Sequence, residues 1–149
     1  YPLDAQASTS LGASFNALHP EHVQESCILD ILARPVVSVR AGEGIVWFDF
    51  DVICSAPRAA PDYIEIARYF HTVLIANVPR LGDTNNDETQ RFIQLVDEFY
   101  DRSVNLIISA DTPPEDLYAG KRLAAPFKRT HSRLVEMQSR EYLHRSHVP

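Results

Sequence analysis

Residues 70–118 read FHTVLIANVPRL, GDTNNDETQ, RFIQLVDEFYDRS and VNLIISADTPPEDLY, and this stretch decides the fold. Thr72 to Ala76 is a short apolar run, rich in strand-forming residues, that closes on Pro79. Gly82 and Asn85-Asn86-Asp87 follow; these types favour turns and helix N-caps. Phe92, Leu95, Val96 and Phe99 then recur at three- and four-residue steps, the period of a helix with one buried stripe. Val104 to Ala110 is too short an apolar run for a helix and predicts a strand buried on both faces. Two strands joined by a helix make a βαβ unit, and such units bind ligands beyond the carboxyl ends of their strands. That directs attention to Asn77–Arg80 and Ser109–Thr112, with Asn77 and Ser109 as candidate binding residues.

Outside this unit the chain reads as more of the same domain. At 149 residues it is one α/β domain with a real core, or the remainder of a longer chain. It opens on Tyr1 rather than Met, so an upstream part is expected. No apolar run approaches the ~18 residues of a membrane span, and nothing resembles a signal peptide. Cys27 and Cys54 have no metal-binding spacing and read as free, semi-buried thiols in a reducing compartment. The net charge of −6 is uneven: residues 121–149 hold seven Lys/Arg against Glu136 and Glu141, leaving −11 on the first 120 residues. A basic segment on an acidic body fits a polyanion site or docking face, or simply a solvated helix face.

Residues 1–24 form a polar helical lead-in with Leu11, Phe15 and Leu18 at helical spacing, ended by His19-Pro20. Cys27–Leu32 and Val36–Arg40 predict a β-hairpin, with Pro35 placing it at a sheet edge. Ile45–Phe48 is a further strand leading through Asp49-Phe50-Asp51 into a helical turn at Cys54. Ser55–Pro61 is a loop carrying Arg58, and Asp62 is placed to cap a helix through Phe70. Thr112-Pro113-Pro114-Glu115 has the form of a capping box, with Gly120 closing that short helix. A basic C-terminal helix spans 126–145, with Leu134, Met137 and Leu143 facing inward and a loose HRSHVP tail.

The sequence excludes much chemistry. A P-loop needs G-x-x-x-x-G-K-[ST], whose backbone N–H groups and Lys hold phosphates; the five glycines here are scattered and none fits. The strand ending Asn77-Val78-Pro79 offers no Asp-Glu to hold magnesium or activate water. His19/His22 and His144/His147 lack third and fourth ligands, so no metal site is expected. Asp49/Asp51 is the one carboxylate pair at a strand end and suggests a small-molecule active site as a minor alternative. The positive signal is Arg129 and Arg133, four apart and so on one helix face, suited to a phosphate, to a cluster of carboxylates or to surface salt bridges.

WFDF at 47–50, PR followed by DYIEIARYFHTVLI, VPRL at 78–81, RFIQLVDEFYDR, SADTPPEDLY and FKRTHSRLVEMQSREYL together resemble the C-terminal part of the AFG-like, ZapE-type P-loop ATPases of the AAA+ class. The resemblance runs from about Ile45 to Tyr142. It implies a degenerate P-loop-like topology and an ATP- and Mg2+-dependent ATPase whose Walker motifs lie upstream, with neither ligand bound by this fragment alone. By the same resemblance Ser109 lies near a sensor position, and Arg133 or Arg129, Arg133 preferred, serves as arginine finger or sensor. The implied partners are the N-terminal ATPase core of the same chain, further copies of it, and a division-ring protein. The implied location is cytoplasmic, at the inner membrane face of the division site, without nucleic acid. A non-catalytic protein-binding module, docking through Val36–Arg40 or the basic helix, is the competing expectation.

Overall fold

The computed structural model describes residues 3, 5–18, 20–55 and 58–148. In chain order the elements are α1 (Ala5–Ala17), β1 (Gln24–Glu25), β2 (Ile28–Ile31), β3 (Arg34–Val37), β4 (Arg40–Gly42), β5 (Ile45–Asp49), α2 (Phe50–Cys54), α3 (Ala60–Tyr69), β6 (Thr72–Val78), α4 (Asn86–Asp101), β7 (Asn105–Ala110), α5 (Ala124–Glu136) and α6 (Arg140–Leu143). The main sheet has the order β1-β4-β5-β6-β7. Its β5-β6-β7 half is parallel and its β1-β4-β5 half antiparallel, so the expected α/β architecture is built on a mixed sheet.

Alternation along the central strands separates two layers, as the two-residue strand period requires. Ile45, Trp47, Leu74 and Ala76 face one side, where Leu11 and Phe15 of α1 cover them. Val46, Phe48, Val73 and Ile75 face the other, beneath α2 to α6. The lead-in helix thus has its partner within the chain; Leu18 remains exposed, and His19 lies outside the described residues. On α4 the predicted stripe of Phe92, Leu95, Val96 and Phe99 is fully buried, worth about 1.5–3 kcal/mol per side chain. The β4–β5 turn requires Gly44: its φ is +76°, and a Cβ there would stand 2.6 Å from the His71 ring.

Several expectations need correction. The β2–β3 hairpin does not extend the main sheet; it is a separate two-stranded sheet packed on α2 and α3. β7 is an edge strand, so it is half-buried along most of its length rather than buried on both faces. Asp62 is not the N-cap of α3 but its third residue, where its carboxylate reaches back to the Ala59 N–H at 2.8 Å. Thr112 makes no cap; its hydroxyl donates to Pro113 O, and a 3-10 turn begins at Pro114. Gly120 is required for space rather than as a helix stop, since a Cβ there would meet the Tyr118 hydroxyl and the Asp83 N–H.

The C-terminal helix is two helices. Ser139 Oγ accepts from Tyr142 N–H at 3.1 Å and starts α6, which shifts the inward face by one residue. Tyr142 is therefore buried, donating to Val104 O at 2.6 Å, and Leu143 is exposed. Nor is the tail loose: Val148 N–H donates to Arg102 O at 2.9 Å and His147 bonds Ala67 O.

Candidate functional site

The carboxyl ends of the three parallel strands carry one connected polar group each. Asp49 ends β5 and caps α2, accepting from Asp51 N–H at 3.1 Å. On β6 the register slips between Ile75 and Val78, inserting one extra residue against β7. Asn77 occupies that bulge with φ +64°, a left-handed conformation that Asn tolerates better than most side chains. Its N–H, turned away from the ladder, donates to Ser109 Oγ at 2.9 Å. Its side-chain Nδ2 donates to Asp49 Oδ2 at 2.8 Å. Asp49, Asn77 and Ser109 thus form a hydrogen-bonded bridge across β5, β6 and β7.

The two residues singled out from the strand ends, Asn77 and Ser109, are brought together; Asp49 joins them, but its partner in sequence, Asp51, is exposed and meets it only through the backbone. Phosphate suits these tips poorly. The Asn77 N–H is engaged by Ser109, a carboxylate stands beside it, and no glycine-rich nest is present. The set suits hydrogen bonding to a neutral or cationic group.

Arg129 and Arg133 lie on α5 and both engage Asp97 of α4, Arg129 at 3.1 Å and Arg133 more closely. The Arg133 guanidinium also lies 4.8 Å from the centre of the Tyr100 ring, while Arg129 is 60% exposed. No hydrogen bond or ion pair among the described residues joins this α4–α5 clasp to the strand tips.

Sequence reasoning missed three features. Asp62, 1% exposed, is paired with Arg34 of the hairpin, a contact between residues 28 apart that no local pattern announces. Asp83 accepts from the backbone N–H groups of Lys121 and Arg122 and from the Tyr118 hydroxyl, which pulls its carboxyl below the usual range. Glu21, His22 and Glu43 gather donor atoms within 4.8 Å of one another on an exposed turn, because Glu43 N–H donates to Glu21 O. His144 and His147 do not pair; His147 packs edge-on to His71, and burial with that neighbour lowers the His71 pKa. Cys27 and Cys54 are both free, and burial pushes the Cys54 thiol up strongly.

Comparison with known proteins gives the family of this chain. The family model for AFG1-like ATPases matches residues 1–146, and the chain belongs to that family. It is 38% identical over 147 residues to the cell division protein ZapE of Escherichia coli K12, covering 99% of this chain and 39% of that protein. It is 31% identical over 173 residues to lactation elevated protein 1 homolog B of Danio rerio, covering 93% of this chain and 34% of that protein. The chain therefore spans about two fifths or less of the length of these relatives. No solved structure matches it. Among the described residues no helix is long and apolar enough to cross a membrane.

Proposed function

We propose that this chain is the C-terminal domain of an ATP-hydrolysing protein linked to cell division, and that it completes an ATP site built upstream. The observation that carries the reading is the family match over residues 1–146, with identity to ZapE along almost the whole chain. The sequence has no glycine-rich phosphate loop, so ATP and Mg2+ are held by residues outside it. What this domain brings is charge: Arg133 and Arg129, steadied on one helix face by Asp97 until a neighbouring core presents a phosphate. An arginine supplied across a domain or subunit boundary stabilises transition-state charge and raises turnover by about 10³ or more. The decisive experiment measures the ATPase rate of the full-length protein, and its dependence on protein concentration, for Arg133→Ala and Arg129→Ala. A rate loss of that order supports the reading; an unchanged rate and concentration dependence removes it.

A second reading rests on the hairpin. Ile28 is 68% exposed and Val37 50%, and these two are cross-strand partners on one face. Such an apolar face suits a protein-binding module that contributes nothing to turnover. On that reading Ile28→Lys abolishes partner capture in pull-down while leaving the ATPase rate intact.

A further inference from the structure

Arg58 and Arg91 reach the same place from different elements. Arg58 precedes α3, and Arg91 lies in the second turn of α4. Arg58 donates through Nε to Val52 O at 3.4 Å and through Nη2 to Pro35 O at 3.2 Å; Arg91 donates through Nη1 to Cys54 O at 3.3 Å. Val52 and Cys54 lie in the last turn of α2, where carbonyls lack helical partners, so both cations meet the negative end of a helix. These three bonds leave most of the five N–H groups of each guanidinium unused.

Neither arginine pairs with a carboxylate within 4.0 Å among the described residues, although both are half-buried. The comparably half-buried Arg102 and Arg133 each have an acidic partner. Around Arg58 and Arg91 opens a polar pocket of about 290 Å³, lined also by Ala59, Asp87, Gln90 and Gln94. Gln90, Arg91 and Gln94 follow one another on one side of α4, so two amides stand beside the Arg91 fork. Of the residues that line it, Arg58 and Arg91 are cationic and Asp87 is acidic, with Glu88 and Asp51 near Cys54 on the same side.

We propose that this pocket binds the phosphoryl group of a small anionic ligand. A phosphate presents oxygens in tetrahedral array and takes hydrogen bonds from two forks and two amides at once; the two oxygens of a carboxylate are satisfied by a single fork. The site is distinct from the α5 arginines and does not depend on the ATPase reading.

The test follows the Arg58 and Arg91 Nε–H signals by NMR while the protein is titrated separately with inorganic phosphate, ADP and sodium glutamate. Saturable shifts of both signals with phosphate are expected, at least tenfold weaker in Gln94→Glu, which places a carboxylate in the pocket without touching either helix-capping arginine. If Gln94→Glu lowers the ligand-free Tm, Gln90→Glu takes its place. ADP binding tighter than phosphate identifies a nucleotide-borne group and equal binding a free phosphate; both sustain the site. No saturable shift up to concentrations on the order of 10 mM, unchanged affinity in the glutamate variants, or glutamate bound as tightly as phosphate overturns it.

Discussion

Asn77 Nδ2 donates to Asp49 Oδ2 across 2.8 Å, joining the carboxyl ends of two adjacent parallel strands. The residue that makes this bond holds φ +64°, so its side chain and its backbone conformation are selected together. A β-branched residue there incurs left-handed strain of about 1–3 kcal/mol and loses the bond as well. Asn77→Val is expected to lower unfolding free energy by about 2–3 kcal/mol in urea titration, whereas Asn77→Gly, which relieves the strain, loses about 1 kcal/mol. Equal losses in the two variants would show that the left-handed turn is not what selects Asn.

Arg34 fixes the hairpin to α3 through buried Asp62, which also holds the Ala59 N–H. Asp62→Ala removes both contacts and is expected to cost about 2–3 kcal/mol, more than an exposed ion pair and less than a fully buried one because Arg34 is 38% exposed. A double-mutant cycle with Arg34→Ala should give a coupling of about 1 kcal/mol or more. Additive losses would mean that the Arg34–Asp62 pair does not hold the hairpin to α3.

Acid should loosen the segment after Tyr118. Donation from the Arg122 and Lys121 backbones depresses the Asp83 pKa below its ordinary 3.8 in the folded protein. A depressed carboxyl pKa contributes stability that is present above the unfolded value and is lost as pH falls through the folded one. The Tm gap between the native chain and Asp83→Asn is therefore expected to be constant above about pH 5 and to close below pH 4. A gap that is independent of pH from 2 to 6 contradicts this.

His71 works in the same direction at milder pH. Burial and the nearby His147 lower its pKa from the usual 6.5, so the folded state favours the neutral ring, and the associated stability is present above 6.5 and falls as pH drops below it. Protection of the Val148 amide, whose hydrogen bond to Arg102 O pins the tail, should fall between pH 7 and 5 in hydrogen exchange corrected for intrinsic rate. His71→Gln should remove the pH dependence; its persistence would assign the effect to another group.

The two arginines on Asp97 should separate in stability measurements. Arg133 is 24% exposed and stacked on Tyr100, so Arg133→Ala is expected to destabilise by about 1 kcal/mol or somewhat more. Arg129 is 60% exposed, and its loss should fall below about 0.5 kcal/mol. The reverse order in thermal unfolding would show that Asp97 is held chiefly by Arg129.

What was legible in the sequence was periodic or punctuated. The α4 stripe and the runs of β5, β6 and β7 each announce themselves within a few residues, and the strand tips follow from the order of those elements. What was not legible depended on distant partners or on phase. Nothing near Val104–Ala110 says that, among the described residues, no further strand pairs with it, so its half-exposed edge was invisible. Leu143 looked inward only because the helix was drawn unbroken; the Ser139 cap rotates Tyr142 into its place. Arg129 and Arg133 were conspicuous by spacing, yet Asp97 lies on another helix whose orientation no local pattern fixes. Arg58 read only as a loop residue for the same reason, because Arg91 meets it only in the folded protein.

The parallel half of the sheet also dictates an order of events during folding. Ile45 pairs with Thr72, and Thr72 with Asn105, so neither ladder closes until a whole helical crossover has been made. The hairpin, pairing Ile31 with Arg34, needs no such wait. Contacts of long sequence separation form late, and the strands that await them stay exposed to aggregation. As the chain leaves the ribosome, Ile45, Val46, Trp47 and Phe48 are synthesised well before β6 can shelter them. That strand, more than any surface loop, is where a chaperone has most to protect.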